Sequence, residues 1–170
     1  IGASMLWVGW FGFNAGSALA ADGNAGMAAV VTHISAATAS LVWMIMDWSK
    51  FGKPTLIGLV TGTIAGLASI TPASGSVGPI GALIIGASAG IICYLFVNIV
   101  KNKLRIDDSL DVFAVHGIGG LIGILLVAFL VDSNIGGAGY ADGLNAISQL
   151  LIQLKGTFAV LVLSVVASII

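Results

Sequence analysis

Two histidines are the residues most able to do chemistry in this chain, and both lie inside apolar runs. His116 sits in Val112-Phe113-Ala114-Val115-His116-Gly117-Ile118-Gly119-Gly120, with no charged residue nearer than Asp111. Burial disfavours imidazolium, so such a ring is expected to be neutral, donating from one nitrogen and accepting at the other. That suits either a polar path through an apolar interior or a hydrogen bond that ties two helices together. His33, in Val31-Thr32-His33-Ile34-Ser35, has hydroxyl neighbours, and the structural reading is favoured there: a bond to Thr32, to Ser35 or to an adjacent helix. A third group lies near the start. In Gly9-Trp10-Phe11-Gly12-Phe13-Asn14-Ala15-Gly16-Ser17, the residues Trp10, Phe13 and Ser17 follow at i, i+3 and i+7 and share one helical face. An indole and a phenyl ring beneath a hydroxyl can hold a small cation by cation–π and hydrogen-bond contacts. The same stripe also fits an interfacial aromatic belt. Asp111 opens an apolar run, where an aspartate caps orphan N–H groups and favours the helix dipole. Asp107 and Asp108 read as solvated loop, and Asp47 with Trp48 as an interfacial anchor.

The elements that must position these groups follow from composition. Of 170 residues, 58% are apolar and 8% charged. A soluble domain carries roughly a quarter of its residues as charges, so this chain is read as an integral membrane protein whose solvent is the lipid bilayer. A net charge of -1 offers nucleic acid no basic surface. One cysteine, Cys93, excludes an intramolecular disulfide and a cysteine-built metal site. The chain has two histidines, no glutamate, and no Walker, HExxH or GxSxG pattern. An enzyme, a metal centre and a cofactor site therefore have little to build on.

A hydrocarbon core of about 30 Å needs roughly 20 apolar residues per helix. By that measure the chain divides into six spans within a single transmembrane domain, at about 1–18, 25–46, 55–70, 79–100, 111–131 and 147–170. Runs this long argue for helices over barrel strands, and the expected fold class is an all-α polytopic transmembrane bundle. Five of the six basic residues fall in the connectors 47–54 and 101–108, and Lys155 is the exception. Both connectors lie on one side if every segment crosses once, which places that side and the C-terminus in the cytoplasm. Small residues recur every fourth position at Gly58, Gly62 and Gly66, at Ala82, Gly86 and Gly90, and at Gly119 and Gly123. Such stripes let helix backbones approach closely.

These motifs resemble the ammonium transporter family (Amt/Mep/Rh). The run Gly9 to Ser17 is similar to its sixth-helix signature, and Gly62-Thr63-Ile64-Ala65-Gly66-Leu67 with Ile70-Thr71-Pro72-Ala73-Ser74-Gly75 to its eighth. Asp107-Asp108 with Asp111 to Gly117 is similar to the start of its tenth. The resemblance implies two inverted five-helix repeats and a closing helix, usually as a homotrimer with one pore per subunit. This chain then corresponds to the second repeat plus the closing helix, the first repeat having no counterpart in it. By position, His116 matches one of two pore histidines, and Phe13 one of two stacked gating phenylalanines. Ser17 matches the hydroxyl of the external ammonium recruitment site, which favours the Amt branch, and Trp10 a pore-lining indole below it. The resemblance implies ammonium recruited outside, deprotonated before passage through a hydrophobic pore, and located in the plasma or inner membrane. It also implies a frequent partnership with a cytosolic regulator of the PII type. The alternative is an ammonium sensor built on the same fold with a fused signalling domain.

Overall fold

The computed structural model describes residues 1–170 and is built from helices and their connectors. Six helices follow in order: α1 (Gly2–Gly16), α2 (Gly23–Phe51), α3 (Leu56–Ile70), α4 (Pro79–Asn98), α5 (Gly119–Leu130) and α6 (Ala146–Ile169). Thr71–Ala73 continues α3 as a tighter turn. Widened π-type turns occupy Ile99–Lys103 after α4 and Phe113–Ile118 before α5. Five stretches are long and apolar enough to cross a membrane: Gly23–Phe51, Leu56–Ala73, Pro79–Lys103, Phe113–Leu130 and Ala146–Ile169. The 15-residue α1 is shorter than these. The second helix begins two residues before the expected 25 and continues to Phe51, five past the expected 46.

Helix ends are fixed by the side chains that local chemistry favours. Asp22 starts α2 by accepting from the amides of Asn24 (2.9 Å) and Ala25 (3.1 Å). Gly52 ends it in the left-handed region at φ 72°, returning its amide to the Trp48 carbonyl. Thr55 caps α3 through the Gly58 amide at 2.9 Å, and its hydroxyl donates to Asp47 Oδ2. Asp47 is only 3% exposed. It is therefore a buried tie between α2 and α3, not the interfacial anchor expected beside Trp48. A capping box of Asn145 and Ser148 opens α6.

The core lies between α2, α3, α4 and α5. Val31, Ile70, Ala73, Val77, Ala82, Ile85, Val127 and Leu130 form one buried cluster. Trp43, Ala65, Cys93, Tyr94, Val115 and Ile122 form a second, in which Trp43 and Tyr94 meet edge to face at 5.2 Å. The glycine stripes bring the backbones together. A Cβ at Gly66 would lie 2.5 Å from the Ser35 carbonyl oxygen, and one at Gly86 2.6 Å from that same oxygen. Ser35 Oγ also donates to the Gly66 carbonyl at 2.9 Å. The Ser35 turn of α2 is thus gripped from both sides. Gly119 and Gly123 do the same for α5, against Ser69 of α3.

Candidate functional site

Trp10 is the centre of the site. It leaves α1 toward α5, and its indole lies nearly parallel to the His116 imidazole, at 14° with centroids 6.2 Å apart. Phe13, one turn further along α1, meets Trp10 edge-on at 80° and 6.2 Å. Both geometries are within the range aromatic rings prefer. Phe13, Trp10 and His116 therefore form one continuous strip, with Phe13 60% exposed at its end. Ser17 closes α1 beyond Phe13, and its hydroxyl donates to the Phe13 carbonyl at 2.7 Å. Both lone pairs of that hydroxyl remain open to a donor.

His116 is placed by an irregular piece of backbone. It lies in the Phe113–Ile118 π-type turn, whose extra residue per turn rotates the side chain relative to a regular helix. The imidazole is exposed along an apolar groove of about 400 Å³ between the Phe113–Ile124 stretch and α6. Gly117, Gly120, Gln153, Gly156 and Thr157 contribute to its walls. It is neither clamped to a second helix by hydrogen bonding nor jammed among aliphatic side chains.

The start of this stretch corrects two sequence expectations. The capping residue is Asp108, not Asp111. Asp108 Oδ1 accepts from the Val112 amide (2.8 Å), and Oδ2 from those of Phe113 (3.0 Å) and Ala114 (3.4 Å). Asp108 thus stays in the connector, half-buried, and organises the turn that carries His116. Asp111 instead pairs with Lys101 at 2.8 Å, across the hairpin from α4, with its backbone left-handed at φ 58°. Aspartate tolerates that region better than most residues.

His33 lies apart from the strip. Its ring packs against Trp7 (5.2 Å) and Phe11 (6.1 Å) on the outer surface of α1 and α2. The partners expected for it are engaged elsewhere: Thr32 Oγ1 donates to the Ala28 carbonyl at 2.6 Å, and Ser35 to Gly66. Thr32 instead accepts from Asn14 Nδ2 at 2.9 Å. Asn14, 4% exposed, anchors α1 on α2. Sequence reasoning missed it, although an amide inside an apolar run carries the same signal as a histidine. It also missed Thr71, whose hydroxyl accepts from Trp10 Nε1 at 2.7 Å.

In sequence and fold the chain is similar to known membrane transporters. The sequence profile of the Ammonium Transporter Family matches residues 1–170. Ammonium transporter Amt1 of Archaeoglobus fulgidus is 53% identical over 153 residues, covering 90% of this chain and 38% of that protein. An ammonium transporter of Aquifex aeolicus is 46% identical over 167 residues, covering 98% of this chain and 39% of that protein. The crystal structure of Saccharomyces cerevisiae Mep2 superposes with a TM-score of 0.82 at 39% identity, over 93% of this chain and 39% of that one. A structure described as a sensor Amt protein gives 0.84 at 35% identity, over 93% of this chain and 38% of that one. The chain belongs to the ammonium transporter family. It is an all-helical, multi-pass membrane protein spanning about two fifths of the length of these relatives.

Proposed function

We propose that this chain forms one wall of a transmembrane passage for ammonium, lined by Ser17, Phe13, Trp10 and His116. The observation that carries the reading is the unbroken strip from Phe13 through Trp10 to the uncapped imidazole of His116. Ammonium is recruited at the outer end by the Ser17 oxygen and the aromatic faces. There cation–π attraction contributes about 0.5–2 kcal/mol. It loses its proton before or while crossing the apolar centre. An ammonium-sized ion moved into low dielectric meets an idealised Born cost of order 20 kcal/mol. Neutral ammonia avoids most of that and needs only hydrogen-bond partners, which the ring nitrogens of His116 supply. The remaining walls come from a first repeat beyond these residues, in keeping with inverted-repeat transporters that hold their site between repeats.

In this reading α1 completes six spans, with the lysine-bearing connectors and the C-terminus in the cytoplasm. The complete protein is a homotrimer of the plasma or inner membrane, open to regulation by a PII-type protein at that face. Asp111 and His33 act structurally. The test is His116→Ala in the complete natural protein reconstituted in liposomes: ammonium-dependent current should fall at least tenfold. Unchanged current and selectivity would reject a pore role for the residue.

A second reading, an ammonium sensor, is favoured by one likeness, that to the sensor Amt protein. Sequencing the gene beyond the codon for Ile170 separates the two. A signalling domain there supports sensing, and a short tail supports transport.

A further inference from the structure

Trp10 is held by more than packing. Its indole N–H donates to Thr71 Oγ1 at 2.7 Å, across 61 residues of sequence. The Thr71 hydroxyl donates in turn to the Leu67 carbonyl at 2.8 Å. Indole nitrogen only donates, and a threonine hydroxyl has one proton and two lone pairs. The direction of both bonds is therefore fixed, from Trp10 to Thr71 to Leu67. Leu67 is fully buried in α3, beside the Gly66 turn gripped by Ser35. The relay thus roots a side chain of the outlying α1 in the rigid part of the bundle.

Two consequences follow. An indole has two rotatable side-chain bonds, and a hydrogen bond at its edge together with packing leaves the ring plane little freedom. That plane is the one lying 14° from the imidazole of His116. The single polar hydrogen of Trp10 is also already engaged, so a small molecule passing between Trp10 and His116 meets a π face and no donor from the indole.

We propose that Thr71 is a positioning residue for permeation: it holds the Trp10 indole face-on to His116 and withdraws the N–H from the passage. The proposal rests on the ammonium-transport reading above. A hydrogen bond of this kind is worth roughly two- to tenfold in an equilibrium, which sets the size of the effect.

The experiment uses the complete natural protein in liposomes, with ammonium-driven current as one readout. The second is the indole N–H vibrational band from ultraviolet resonance Raman spectra. Thr71→Val keeps the shape of the side chain and removes the acceptor, and Thr71→Cys takes its place if the valine variant fails to assemble. Current should fall roughly three- to tenfold, one indole band should shift to its unbonded position, and Thr71→Ser should restore both. In a Trp10→Phe background the Thr71 substitution should cost nothing further, since the residue acts through the indole. Natural current in Thr71→Val, an unmoved indole band, or the same fractional loss in the Trp10→Phe background would each overturn the proposal. Absence of ammonium current in the unsubstituted protein would overturn the transport reading and this proposal together. Current that is present but indifferent to Thr71 would overturn this one alone.

Discussion

The trio α2, α3 and α4 and the outlying helices α1 and α6 are built on opposite terms. In the trio, glycines let the carbonyls and side chains of neighbouring helices press close to their Cα atoms. Gly62 lies under Trp43, Gly66 under Ser35 and Gly90 under Val42. In α1 a single residue, Asn14, is buried, and in α6 none is. Yet the strip of rings lies on the sparsely packed side, between α1 and the π-type turn before α5. The contrast teaches that close packing supplies a frame, while the face that carries the strip of rings is held against that frame by a few directional bonds. Those are Trp10 to Thr71 and Asn14 to Thr32.

This contrast can be broken most severely at Gly66. Replacing it by Leu drives a side chain into the Ser35 carbonyl and the Ala36 backbone, which have no room to yield. Loss of folding is expected, upward of about 3 kcal/mol, read as collapse of monodisperse yield in detergent. His116→Ala should do the reverse, since the ring is exposed: ammonium current drops at least tenfold while the thermal midpoint stays within about 0.5 kcal/mol equivalent. A parallel loss of stability would mean that the imidazole is a strut. Asp108→Ala removes the acceptor of three amides ahead of His116 and should cost about 1–2 kcal/mol. Faster amide hydrogen exchange confined to residues 112–116 would check it. Asn14→Ala breaks the bond to Thr32 and should cost about 1 kcal/mol, loosening α1 before the trio unfolds. Smallest is Lys101→Ala. Its pair with Asp111 is partly exposed, at 37% and 16%, so the change should stay below about 1 kcal/mol and vanish at high salt.

Much of this plan is legible in the sequence because lipid imposes simple rules. Twenty-residue apolar runs become helices, and four-residue glycine spacing becomes close approach. The i, i+3 relation of Trp10 and Phe13 puts both rings on one face, as their contact requires. What the sequence hides are relations between distant segments. Nothing in Thr71 by itself points to Trp10, because their bond depends on how α1 leans on the end of α3. The choice between Asp108 and Asp111 as cap depends on a left-handed residue at Asp111, and three aspartates within five positions make that choice ambiguous in a string of letters. His33 misleads for a related reason. Its hydroxyl neighbours are adjacent in sequence, but the helix turns them inward and the imidazole outward.

The double grip on the Ser35 carbonyl carries a mechanical consequence. With Gly66 on one side and Gly86 on the other, α2 has no clearance to slide or twist past either neighbour, so the three helices shift only as a block. Any breathing of the bundle is thereby pushed to the periphery, to the tilt of α1, the irregular turn beneath His116 and the loosely seated α6.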